Sequence, residues 1–229
     1  MDSDKIAAQK RILETGNGLA CCMFALTVEG ADIQALQARV LEIGTGDDCI
    51  QFAGIPGADI EALQSRVLEV GTGPDCANFA RHIKESNRKA LEARVLEIGN
   101  GYGCVLFAEN VPGADIAALQ SCVLKNGYDI DCVAFAACVK GADIQPLQKR
   151  IIQNGTGFAC CWFAADVKGA DIQALQNRVM EVGCQKDCCW FAENISGADK
   201  EMLLTHAQTL RENGEWVKDW EDRDDRPGW

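Results

Sequence analysis

Cysteine and histidine are the residues of this 229-residue chain with the most obvious capacity for chemistry, at 13 and 2 copies. Thiolates ligate zinc or attack electrophiles, and imidazoles ligate metals or relay protons. Their spacing does not assemble them. A structural zinc site calls for matched ligand pairs, and no Cys-x-x-Cys with a second matching pair exists. The one loose grouping is Cys184, Cys188 and Cys189 with His206, and no metal is expected there. Surface thiols such as Cys184 or Cys138 remain candidates for redox chemistry. His82 and His206 stand far apart, no Ser-His-Asp or Cys-His arrangement occurs at helical spacing, and the carboxylates are spread rather than convergent. The chain reads as a non-enzyme without a cofactor.

What the cysteines do show is a period. Cys21, Cys49, Cys76, Cys104, Cys132, Cys160 and Cys188 each stand three residues before a phenylalanine: Phe24, Phe52, Phe79, Phe107, Phe135, Phe163 and Phe191. Gly-Ala-Asp begins at Gly30, Gly57, Gly113, Gly141, Gly169 and Gly197, and a disguised copy begins at Glu85. A fixed interval near 28 residues defines a tandem array. Copies start near residues 2, 30, 57, 85, 113, 141, 169 and 197, giving a repeat region over 1–213 and a C-terminal cap with an acidic tail over 214–229.

Each copy predicts two helices. Ile33, Leu36, Val40 and Ile43 fall on one helical face. Asp32 is placed to cap it, and Gly44 is expected to end it in a left-handed conformation. After the Gly44-Thr45-Gly46 turn, Asp47 or Asp48 is expected to cap a shorter helix carrying Cys49, Phe52, Ala53 and Ile55. Neither helix can bury its apolar stripe alone, so consecutive hairpins must stack. The fold class expected is all-α: an α-α solenoid, a right-handed superhelix of about eight two-helix repeats in a single elongated domain. The Ala-Asp-Ile-x-x-Leu-Gln and Asp-Cys-x-x-Phe-Ala-x-x-Val-x-Gly-Ala-Asp segments resemble units of tandem helical-repeat proteins of bacteria and phages with unassigned activity. That resemblance implies an α-α solenoid and supplies no catalytic residues.

Repetition turns single residues into rows. Arg11, Arg39, Arg66, Arg94, Arg150 and Arg178 stand three residues before Glu14, Glu42, Glu69, Glu97, Gln153 and Glu181, which reads as a solvated ion-pair ladder. The Asp32 row reads as helix caps rather than calcium ligands, because each loop offers one carboxylate and Asn87 replaces it in one copy. The Gly-x-Gly turns follow helices and lack Lys-Ser/Thr, so they do not read as phosphate loops.

Departures from the pattern point to function. The position before the phenylalanine reads Met23, Gln51, Asn78, Leu106, Ala134, Trp162 and Trp190, a partly exposed row whose two tryptophans form an aromatic patch or cover the groove between units. Arg81, His82, Lys84, Arg88 and Lys89 form a basic cluster where Gly-Ala-Asp-Ile should stand; it reads as a docking site for an acidic segment or a solvated junction. Met202, Leu203, Leu210, Trp216 and Trp220 are expected to cover the open end of the stack. Lys plus Arg number 22 against 34 Asp plus Glu, a net charge of −12, which argues against direct nucleic-acid or anionic-membrane binding. With a polar N-terminus and no spanning segment, a cytoplasmic location is expected. The functional expectation is a scaffold that binds a protein or peptide through one face, with Met23, Leu106, Trp162, Trp190, Arg81, Lys84, Arg88 and Lys89 as contact residues. An acidic decoy for a nucleic-acid-binding protein and a redox- or metal-responsive protein are the alternatives.

Overall fold

A computed structural model describes residues 3–213 of the chain. The tail over 214–229, including Trp216 and Trp220, lies outside the described residues. Every element among the described residues is a helix. The described residues form two compact units, divided between Asn126 and Gly127. In the first, α1 (Ser3–Thr15), α3 (Ile33–Ile43), α5 (Ile60–Val70), α7 (Arg88–Ile98) and α9 (Ile116–Asn126) are the first helices of successive repeats. Their partners are α2 (Gly18–Thr27), α4 (Gly46–Ala53), α6 (Gly73–His82) and α8 (Gly101–Asn110). The second unit holds α10 (Asp129–Cys138), α11 (Ile144–Asn154), α12 (Gly157–Asp166), α13 (Ile172–Val182), α14 (Gln185–Asn194) and α15 (Lys200–Glu212). Within each unit, a helix packs on its hairpin partner and on the helix at its own position in the next repeat. This is the packing of an α-α repeat stack, as the period demanded.

The caps explain the local structure. The Asp32 carboxylate accepts the Ala35 amide at 3.0 Å, and Asp59, Asp171 and Asp199 cap their helices in the same way. Asn87 does this without charge, accepting from Ala90 at 3.2 Å. Two expectations fail. The second helix is capped by Thr45, not by Asp47 or Asp48: the Asp48 amide donates to the Thr45 hydroxyl at 3.2 Å, while the Asp48 carboxylate accepts the Thr45 amide at 2.9 Å. Asp48 is thus the third residue of a capping box, repeated at Thr72 and Asp75. Gly44 is not left-handed; its φ of −71° is open to any residue. A Cβ there would lie 2.5 Å from the Val40 carbonyl oxygen, so the glycine is needed for space. The left-handed glycines are instead those of Gly-Ala-Asp, such as Gly30 with φ 78° and Gly57 with φ 88°, together with Gly99, which ends α7 at φ 69° in the way expected of Gly44.

The ion-pair ladder is also different from expectation. Arg39–Glu42, Arg66–Glu69, Arg94–Glu97 and Arg178–Glu181 pair at 2.8 to 3.0 Å. Each glutamate is largely in water, but the arginine side chains are only 15 to 28% exposed. The long side chains lie across the stack. Arg178 donates to the Gly155 carbonyl of the preceding repeat at 3.2 Å and Arg66 reaches back to the Glu42 carbonyl at 3.4 Å. In the first repeat Arg11 is replaced as the partner of Glu14 by Lys10, at 3.9 Å.

A further row, unread in the sequence, joins consecutive repeats. Gln37 is 3% exposed; its amide oxygen accepts the Asp59 amide at 2.8 Å and its amide nitrogen donates to the Asp59 carbonyl at 3.1 Å. Gln64, Gln148 and Gln176 accept from Asn87, Asp171 and Asp199 at 2.7 to 2.8 Å. Glu92 takes the same place toward Asp115. Asp59, Asn87, Asp115, Asp171 and Asp199 therefore each have their own amide satisfied by the repeat before. Between the helix layers lies the core: Phe52, Phe79, Phe135, Phe163 and Phe191 are fully buried, as are Cys49, Cys76, Cys132, Cys160 and Cys188.

Candidate partner-binding face

The second helices bury one side against the first-helix layer and turn the other toward solvent. Residues at i, i+4 and i+7 form that outer stripe. On α2 it is Leu19, Met23 and Leu26, which are 48%, 53% and 60% exposed. On α4 it is Asp47 and Gln51, followed by the capping Gly54, with Gln51 donating to the Asp47 carboxylate. On α6 it is Pro74, Asn78 and Arg81, and on α8 Tyr102, Leu106 and Glu109. The first unit thus presents a polar stretch flanked by apolar stripes.

On the corresponding stripe the second unit is apolar on α10 and α12 and mixed on α14. Ile130, Ala134 and Ala137 stand on α10, Phe158, Trp162 and Ala165 on α12, and Lys186, Trp190 and Glu193 on α14. The Phe158 and Trp162 rings lie 5.2 Å apart between centroids and are tilted by 40°, within the separation at which aromatic pairs attract. Trp190, on the neighbouring helix α14, is 38% exposed. Lys186 and Glu193 bracket it with opposite charges.

The row before the phenylalanine is partly exposed along its length, from Met23 through half-buried Leu106 and Trp162 to Trp190. Leu19, Leu26, Tyr102 and Phe158 share the face and were missed. Their signal was present: each sits four residues before, or three after, a member of that row. Arg81, Lys84 and Lys89 are exposed and Arg88 is half-buried, all at the α6–α7 turn.

The thiols stand in a different environment. Burial pushes Cys49, Cys76 and Cys132 up to about 11, and Cys22, Cys160 and Cys188 up to about 12. A protonated, enclosed thiol is a poor nucleophile. Cys138 is exposed, and Cys184 and Cys189 are half-buried. Cys184 takes the capping position of Thr45, and its amide donates to the buried Asp187 carboxylate at 2.9 Å. Cys184, Cys188, Cys189 and His206 do not converge: among the described residues, no group of three or more His, Cys, Asp or Glu is placed to hold a metal ion. No helix among them is long and apolar enough to cross a membrane.

No family model matches the chain, and neither the curated proteins nor the solved structures contain a significant match.

Proposed function

We propose that this chain is a non-enzymatic helical-repeat scaffold that binds a protein or peptide partner through the solvent face of its second helices. The observation that carries the reading is the aromatic patch of Phe158, Trp162 and Trp190 on the packed helices α12 and α14. Tryptophan is favoured at the energetic centre of interfaces, where a large rigid ring is desolvated inside a charged rim. Lys186 and Glu193 supply such a rim. The stitched first-helix layer holds α12 and α14 in place before any partner arrives, which lowers the ordering cost of binding. The burial of ten of the thirteen thiols favours this reading over a redox role for them, and a location in the cytoplasm accords with their remaining reduced.

The test is affinity capture from the native host with wild-type protein and with Trp162→Ala/Trp190→Ala. Loss of one specific protein with the variant, at low and high salt alike, is the expected result. Capture that ignores both tryptophans, is abolished by salt and competes with nucleic acid would replace the scaffold by the acidic decoy, which the net charge of −12 otherwise favours.

A further inference from the structure

The turn between α6 and α7 reverses the charge of its counterpart one repeat later. Glu109, Pro112, Asp115, Ile116 and Ala117 stand at the α8–α9 turn. Their equivalents, 28 residues earlier, are Arg81, Lys84, Asn87, Arg88 and Lys89. Glu109 and Asp115 lose their carboxylates, one new carboxylate enters at Glu85 in place of Gly113, and four cations enter, in a chain of net charge −12. Asn87 keeps the capping bond that aspartate makes elsewhere, so the cap is retained while its charge is removed.

These cations have no carboxylate partners. Arg39, Arg66, Arg94 and Arg178 each grip a glutamate; among the described residues, none of Arg81, Lys84, Arg88 and Lys89 does. Arg88, in place of the usual isoleucine, has its Nε buried without a hydrogen-bond acceptor. The turn beneath them is firmly held. Ile83 is 8% exposed, Ser86 donates to its carbonyl at 2.6 Å, and the Asn87 amide donates to Gln64 at 2.7 Å. The charges are therefore presented on a preorganised support.

We propose that the α6–α7 turn is a docking site for a short acidic peptide segment of a partner protein. Charge complementarity selects the sign of the ligand, and the acidic surroundings select its length. Screening confines each interaction to about 8 Å at physiological salt, so a short segment meets the four cations with Glu85 as the single carboxylate among them. A continuous polyanion such as DNA would run on from the turn to Asp59 and Glu61 on one side or Glu109 and Asp115 on the other, all exposed. Repulsion there offsets the gain.

The site is separate from the aromatic patch, and the experiment keeps the two apart. A fluorescein-labelled oligoglutamate peptide is titrated with the full chain and followed by anisotropy. Binding that weakens with salt is expected, and about tenfold or greater loss in Arg81→Glu/Lys84→Glu/Lys89→Glu. Lys140→Glu/Lys168→Glu, which alters turn lysines of the second unit, and Trp162→Ala/Trp190→Ala should both bind the peptide like wild type. The neutral set Arg81→Gln/Lys84→Gln/Lys89→Gln should give a smaller loss with an unchanged circular-dichroism spectrum, and it decides the matter should the charge-reversed protein fail to fold. No binding to wild type, or binding undiminished by the substitutions at the turn, overturns the proposal. So does a single-stranded oligonucleotide of equal charge that binds as tightly and is lost in the same variants.

Discussion

The first-helix layer and the second-helix layer repeat with the same period but for different reasons. In the first, the recurrent polar residues bond to a turn or to a neighbouring repeat, beside an apolar row that is core: the aspartate cap, the glutamine that receives the next cap's amide, the arginine that lies back across the stack. Each such residue is fixed by partners 22 to 24 residues away, and little variety is tolerated. The second layer is fixed on one side only. Its thiols and phenyl rings are enclosed, while its outer stripe changes from Leu19 and Met23 through Gln51 and Asn78 to Trp162 and Trp190. Recurrence marks the positions that hold the stack together, and variation marks the surface left free to specialise.

If the thiols of the second layer are core, the largest effect should come from forcing them to ionise together. In the unfolded chain a thiol ionises near its ordinary value of 9.0, whereas burial moves Cys49 and Cys76 to about 11 in the native state. Below pH 9 both states hold the proton and stability is unaffected. Above it the unfolded chain releases protons that the native chain keeps, so stability falls as pH rises. The melting temperature should be level near neutrality and drop steeply on the alkaline side of 9. A level melting temperature up to about 11 would show the thiols to be in water. Next in size is the contrast between the two sides of the layer. Phe135→Ala, at a fully buried ring, should cost about 3–5 kcal/mol. Trp190→Ala should cost about 1 kcal/mol or less while removing partner capture. Equal losses of stability in denaturant titrations would erase the distinction between core side and free side.

How far this was legible in the sequence follows the same division. The period, the helix pairs, the Asp32 caps and the enclosed Cys49–Phe52 row were readable because each depends on spacing within one repeat. Thr45 was misread because aspartate and threonine both cap, and only the reciprocal bond to Asp48 decides which does. Gly44 was misread because a glycine after a helix has two reasons to exist, and a close approach to the Val40 carbonyl leaves no sequence signature. The glutamine row was missed because its partner lies in the next repeat: Gln37 looks like a surface amide until Asp59 is seen above it. Phe158 was missed as part of the aromatic patch for a similar reason. It occurs once, outside the recurrent phenylalanine position, and its relation to Trp162 is a matter of helix facing.

The smallest effect tests the claim that a cap is kept for its hydrogen bond rather than its charge. Asp59 accepts the Ala62 amide at 3.1 Å, and its backbone is clamped by Gln37. Asp59→Ala removes the acceptor and should cost about 1 kcal/mol. Asp59→Asn keeps an acceptor of the same length, as Asn87 does naturally at 3.2 Å. It forfeits only the attraction of a carboxylate for the helix dipole, an exposed interaction of about 0.3–1 kcal/mol that salt screens. The asparagine variant should therefore approach wild type as salt is raised, while the alanine variant stays destabilised. If the asparagine variant were as unstable as alanine at high salt, the bond at Asn87 would be insufficient as a cap. The neutral residue in the α6–α7 turn would then represent stability given up for the sake of that surface, a stronger sign of selection for a positive face than the charge count alone.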